Sequence, residues 1–281
     1  MEENVCQYCP FPPGHFYSPV PSLDEVCERE DIIFAAPDKL QGINLNRAGQ
    51  VALFEAMSPY YAEQPFRTEK TDGLRFYFDN PNFKWGEAII LYCLMRHAQP
   101  KRLIEIGCGY SSCAILDINE HIFNNSIETI FCEPYPDLLL SLLNEGDREP
   151  IQIVPQPIQW IDKSLFSQLQ ENDILLVDST HVCKTGSDVN HIFFEVLPSL
   201  ASGVYIHFHD IYYPFEYPKE WVYQRRAWNE AYLLRAFLQF NFAFEIAFHN
   251  QYFNLFETQR LQNKMPLCAM HAGSSLWLRK L

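Results

Sequence analysis

From Lys101 onward, short apolar runs alternate with longer stretches that mix apolar and polar residues. Arg102-Leu-Ile-Glu-Ile106, Thr129–Cys132, Ile151–Val154, Ile174–Val177 and Gly203–Phe208 read as strands. Ser111–Ile122, Leu138–Leu143 and Ser187–Leu197 carry a helical pattern, with Ser187 placed as an N-cap, and Glu220–Phe240 reads as one long helix. Phe242–Phe248 and Ser275–Arg279 supply two last strands. Strands alternating with helices at this spacing predict an α/β fold. The expected architecture is a Rossmann-like, doubly wound, mostly parallel seven-stranded sheet with helices on both faces. Upstream, residues 43–65 predict a helix ending near Pro65, and Trp85–His97 predicts another that stops before Pro100. Phe76-Tyr-Phe78 with Asn80-Pro-Asn82 reads as an extended piece and a turn, while the proline-rich residues 1–30 exclude a regular helix or central strand. The expected division is an N-terminal extension over 1–84 and a main domain over 85–281.

Charge narrows the partners. The 281 residues hold 35 acidic and 21 basic side chains, a formal net charge of −14, and no run of Lys or Arg. That excludes nucleic acid and an anionic membrane surface as main partners. The start Met1-Glu2-Glu3-Asn4 lacks the basic-then-apolar pattern of a secretory signal, and the longest apolar stretch, near Ala88–Met95, is too short for a span. A cytoplasmic protein is expected. Nine scattered cysteines fit reduced thiols. Cys6 and Cys9 form one C-x-x-C, which reaches four zinc ligands only by adding His15 and Cys27; otherwise it is a pair of thiols.

Ligands of such sheets bind at the carboxyl ends of the strands. Glu133, Asp178, His209 and Asp210 fall there, and Gly107 and Gly109 lie just past the first strand. In Glu105-Ile-Gly-Cys-Gly-Tyr-Ser-Ser112, Ser112 occupies the third glycine position of a dinucleotide loop. The loop is therefore poor for a pyrophosphate and suits a smaller ligand with a ribose and a zwitterionic tail. Glu133 is placed to accept both ribose hydroxyl hydrogens.

The E-x-G-x-G segment, the acid ending the second strand and Val177-Asp178 together resemble the class I S-adenosylmethionine-dependent methyltransferases. Asp178-Ser-Thr-His181 and Leu200-x-x-Gly203 through His209-Asp210 resemble, more narrowly, methyltransferase family 24, over roughly residues 100–212. Two positions depart from that pattern: Ser179 stands for a glycine, and Ala201-Ser-Gly203 for a glycine pair. The segment from Pro13 to Asn80 is similar to the N-terminal extension of some bacterial relatives. The resemblance implies S-adenosylmethionine as cofactor. Gly107 and Gly109 would pass under its methionine part, with Ser111, Ser112 and Asp178 also on the cofactor side. Glu105 would hold the loop or the cofactor amine, and Glu133 the ribose. Gln156 or Gln159 would meet the adenine, and Tyr77 and Asn80 would close over the cofactor.

A hydroxyl acceptor needs its proton removed by a base, or acidified by a metal. His181, His207, His209, Asp178 and Asp210 cluster at two strand ends. His181 is the preferred base and His209 the next, with Asp210 beside them; His207 reads equally as a buried, satisfied core group. Related O-methyltransferases imply a divalent metal (Mg, Mn or Fe) at Asp178, His209 and Asp210; without one, Asp178 caps a helix or meets the cofactor. The aromatic segment Ile211–Trp221 either walls an apolar or planar acceptor or packs on the N-terminal extension. Arg225 and Arg226 form solvated ion pairs or meet an anionic substrate. The expected activity is methyl transfer to a small-molecule acceptor, at oxygen, with a homodimer compatible with it. A nicotinamide-dependent oxidoreductase and a non-catalytic binding protein on the same fold are the alternatives.

Overall fold

A computed structural model describes residues 10–144, 146–147 and 151–281. Cys6 and Cys9, and so the expected zinc set, lie outside the described residues. Among the described residues seven strands form one sheet: β1 Arg102–Ile106, β2 Glu128–Cys132, β3 Gln152–Val154, β4 Ile174–Val177, β5 Tyr205–Phe208, β6 Phe244–His249 and β7 Leu276–Lys280. Their order is β3-β2-β1-β4-β5-β7-β6. β1 pairs in parallel with β2 and β4, and only β7 runs antiparallel to its neighbours. Strand order reverses between β1 and β4, which opens a crevice at their carboxyl ends.

Alternation along each strand feeds two cores. Leu103, Ile174, Leu176, Tyr205 and Trp277 face one side, packed against helices Trp85–Ala98 and Tyr110–Phe123. Ile104, Ile106, Leu175, Val177, Ile206, Phe208 and Leu278 face the other, with Val189, Ile192 and Leu234. Both faces are covered, so the strands read as apolar runs without polar alternation. Glu105 and His207 are the exceptions in β1 and β5. Both are buried at core positions.

The predicted helix over 43–65 is an α-helix only from Arg47 to Met57 and tightens into a 3₁₀ turn over Ser58–Glu63. Ser187 caps its helix as expected, its hydroxyl accepting from Asn190 N at 3.2 Å. The long helix expected over 220–240 is two helices, Lys219–Tyr223 and Glu230–Leu238. Residues 224–229 turn away because Arg225 adopts a left-handed backbone and Asn229 is tied to Cys183. The Asn229 side chain accepts from Cys183 N at 2.6 Å and donates to its carbonyl at 3.3 Å. Phe66, Phe76, Phe78 and Phe83 of the N-terminal segment join the core under Trp85–Ala98. No helix among the described residues is long and apolar enough to cross a membrane.

Candidate active site

The glycine loop is held from below. Glu105, fully buried, accepts from the Ser111 and Ser112 hydroxyls, both at 2.5 Å, and Ser112 Oγ in turn accepts from Gly109 N at 3.0 Å. Ser112 at the third glycine position thus ties strand end to helix start. Burial pushes the Glu105 carboxyl up to about 8, against the two hydroxyl hydrogen bonds. Of its two expected roles, this geometry places Glu105 on the loop. Gly107 has a φ of +80°, and a Cβ there would sit 2.1 Å from the Asp178 carbonyl oxygen. No other residue fits that approach. Gly109 is extended, and its neighbour is Leu138.

Above the loop lies a cavity of about 370 Å³. Gly107, Glu133, Gln159 and Asp178 are among its lining, and Ile158 and Pro157 supply an apolar wall. One Glu133 oxygen accepts from Tyr135 N at 2.8 Å; among the described residues nothing donates to the other. Gln159 lines this cavity, whereas Gln156 is exposed outside it. Tyr77 stands edge-on to Tyr110, with ring centroids 6.0 Å apart. The Asn80 amide is engaged by its own turn: it donates to the carbonyls of Tyr77 and Phe83 and accepts from the amides of Asn82 and Phe83. Asn80 lines neither this cavity nor the next.

A second cavity of about 720 Å³ adjoins the first; both are lined by Asp178, Ser179 and Thr180. Asp178, His181, His209 and Asp210 all border it, joined by Glu87, Tyr212, Trp221, Arg226, Trp228 and Ser274. His181 Nδ1 lies 2.9 Å from Glu230 Oε2, and its Nε2 lies 3.4 Å from Asp178 and 3.9 Å from Asp210. A buried carboxylate on Nδ1 directs Nε2 to the cavity. Burial opposes the charged ring, but Asp178 and Glu230 outweigh it and raise its pKa to about 10. His209 is also buried; Glu87, Asp178 and Asp210 overcome that burial and raise it to about 9. Burial would lift the Asp178 carboxyl, yet His209 and His181 hold it below its ordinary range. Glu87 is pushed up by burial and accepts from the backbone amides of Ser274 and Lys84. Both His181 and Asp210 have left-handed backbones, with φ of 59° and 56°. Such strain in non-glycine residues concentrates at working sites. His207 stands apart from the cavities, bonded to Ser275 Oγ at 2.7 Å and kept neutral by burial.

The expected metal set does not fit this arrangement. Among the described residues no three His, Cys, Asp or Glu side chains form a cluster suited to a metal ion. Asp178 faces the protonated His181 ring, and Asp210 accepts from Ser274 Oγ at 2.8 Å while lying 3.6 Å from His209 Nε2. Both acids thus lie beside imidazole and hydroxyl partners. Of the aromatic segment, Tyr212 and Trp221 line the cavity, while Tyr213 donates to the Pro37 carbonyl of the N-terminal segment. Each expected role is met by different residues.

Sequence reasoning missed Glu87, Glu230, Ser274 and Trp228. Glu87 left one signal, an acid inside an otherwise apolar helix. Glu230 was hidden inside a helix read as continuous. Ser274 and Trp228 left none, because they lie in loops whose position depends on distant strands.

A family model described as "Methyltransferase domain" matches residues 104–211, from β1 through the loop after β5. An uncharacterized protein from Archaeoglobus fulgidus is 36% identical over 173 residues, covering 58% of this chain and 76% of its own. Solved structures that overlay on the chain include the SAH-bound Podospora anserina methyltransferase PaMTH1, at 13% identity and TM-score 0.45, covering 86% of this chain and 99% of that one. The apo structure of CmcI overlays at 15% identity and TM-score 0.43, covering 71% and 72%. Neither the oxidoreductase nor the non-catalytic alternative finds support among these matches. The matched segment carries the glycine loop, Glu133, Asp178, His181, His209 and Asp210, and the chain belongs to the class I S-adenosylmethionine-dependent methyltransferases, in the methyltransferase 24 group.

Proposed function

We propose that this methyltransferase acts on an oxygen of a small-molecule acceptor, with His181 as the base and Glu230 as its positioning residue. The observation that carries the reading is the junction of the two cavities at Asp178–Thr180, with the His181–Glu230 pair on the acceptor side. The smaller cavity fits the cofactor: Glu133 offers an unshared carboxylate oxygen to a ribose, and the Gly107 backbone leaves room at the strand end. Held there by Glu133 and the Gly107 turn, S-adenosylmethionine would supply an electrophilic methyl group to the acceptor oxygen and leave as the neutral thioether S-adenosylhomocysteine. Glu133 and Gly107 hold and orient; Asp178 lies between the cavities and balances positive charge. The acceptor hydroxyl gives its proton to His181 Nε2, and Nδ1–H stays donated to Glu230. Because His181 is largely protonated at neutral pH, the neutral fraction able to act as base grows with pH. No step is derived through a metal.

Titration calorimetry with S-adenosylhomocysteine tests the reading. Wild-type protein should bind it, and Glu133→Ala should weaken binding on the order of 10- to 100-fold, the worth of one or two hydrogen bonds to a charged group. Among the described residues the Glu133 side chain makes only a local bond, to Tyr135 N, so the melting temperature should hardly move. No binding by the wild type, or equal binding by the variant, would overturn the cofactor assignment.

A further inference from the structure

The larger cavity has two chemically different ends. Its inner end is acidic and imidazole-rich, with Glu87, Asp178, Asp210, His181 and His209. Arg226 belongs to the rim. Its guanidinium carbon lies 4.5 Å from the Trp221 ring centroid and 5.4 Å from that of Trp228. Its one side-chain hydrogen bond among the described residues runs from Nε to Gln224 Oε1 at 3.0 Å, and no carboxylate there is within ion-pair distance. Solvated ion pairing, the milder expectation for this arginine, is therefore not what the structure holds. Two indoles fix the guanidinium plane, leaving N–H groups of a rigid fork without a protein acceptor.

The chain is bent to put it there. A helix continuing through 224–229 would carry Arg226 along its surface. Instead Arg225 turns left-handed, Arg226 N donates to the Trp221 carbonyl, and Asn229 anchors the far side of the loop on Cys183. Trp228 spans the two ends: its indole packs on Trp221 and Tyr217 and also on His181, centroid to centroid at 4.4 Å. The distance from base to guanidinium is thus bridged by one indole, and the wall between is aromatic.

We propose that Arg226 is the specificity residue for a planar acceptor bearing a carboxylate, whose hydroxyl lies at His181 while its anionic group reaches the rim. This rests on the reading of His181 as base and names the substrate class for that site. Orientation follows from charge. The inner imidazoles already face Glu87, Asp178, Asp210 and Glu230, and a protein of net charge −14 offers an anion little general attraction, so recognition must come from a local, preorganised cation with no acid beside it. Arg226 supplies a fork that matches a carboxylate with two parallel hydrogen bonds. The indoles supply a flat apolar surface for the ring.

Three phenols that differ in the para group separate the possibilities: para-hydroxybenzoate, phenol and tyramine, titrated into the full chain saturated with S-adenosylhomocysteine and followed by ligand-observed NMR. Para-hydroxybenzoate should bind on the order of tenfold more tightly than phenol, as for one charge-assisted contact. Arg226→Gln should abolish that preference and leave phenol affinity and S-adenosylhomocysteine affinity unchanged. Arg226→Lys, which keeps the charge and loses the fork, should retain only part of it. Equal affinity for para-hydroxybenzoate and phenol, preferential binding of tyramine, or a preference that survives Arg226→Gln would each overturn the proposal. The cofactor titration is read separately, so loss of S-adenosylhomocysteine binding would indict the methyltransferase reading and not this one.

Discussion

The two cavities that meet at Asp178–Thr180 are built in different ways. The smaller one is lined by short runs that follow β1, β2, β3 and β4 in turn, residues 106–107, 132–135, 157–159 and 178–188, each placed by the end of its own strand. Its internal ties are short-range, as when Ser111 and Ser112 reach back to Glu105. The larger cavity gathers Glu87, His181, His209, Trp228 and Ser274 from five separate segments, and its hydrogen bonds join residues far apart in the chain, such as Ser274 to Glu87. A local loop tolerates few changes at its turn but survives changes elsewhere. A network of distant charges depends on the whole tertiary fold, so its electrostatics and its geometry stand or fall together.

The largest effect should come from the distant network. His181→Ala should lower the methylation rate constant on the order of 10²–10⁴-fold, the usual contribution of a positioned base, with cofactor affinity kept. Wild-type rates should climb with pH towards about 10, because His181 must first lose the proton that Asp178 and Glu230 stabilise. Glu230→Gln removes one of those acids, so the rise should shift to lower pH while the plateau rate falls. A rate flat between about pH 7 and pH 9.5 in the wild type would break the assignment of the base.

Next comes the local loop. Gly107→Ala places a Cβ against the Asp178 carbonyl at a left-handed φ, so it should cost about 2–4 kcal/mol of stability and abolish S-adenosylhomocysteine binding. Thermal unfolding and calorimetry read the two effects. A variant with wild-type melting and binding would show that the loop is not constrained as described.

The smallest effect sharpens the account of Glu105. Its carboxyl is raised from 4.5 to about 8 by burial, so between those values the folded chain holds a proton that the unfolded chain has released. The stability this contributes is complete below the lower value and is lost as pH climbs through the higher one. Glu105→Gln should flatten the fall in melting temperature across that window. An unchanged slope would mean that another group is responsible.

Much of the smaller cavity is legible in the amino-acid order. Gly107, Glu133 and Asp178 sit at strand ends that apolar runs alone locate, and the strand-end rule places them in the lining of this cavity. Gln159 and Gln156 are not separable in that way, since only the path of the chain after β3 exposes one and turns the other inward. The larger cavity is half legible. His181, His209 and Asp210 follow β4 and β5 directly, but their partner Glu87 lies on a helix that precedes the sheet, and Glu230 follows a break that periodicity does not mark. Ligand type can be read from residue identity while pairing cannot: Asp178 lies beside His181, Asp210 beside His209 and Ser274, and no three such side chains among the described residues form a metal cluster.

Amino-acid order by itself determined the strands, the glycine turn and which polar groups end each strand, because backbone propensity and period-two burial act over a few residues. Only the tertiary structure decided which acid charges which imidazole, where the chain bends at Arg225 and what Trp228 touches. Those outcomes depend on desolvation and on distances between segments far apart in the chain, as Glu87 is from His209, and no local pattern carries that information.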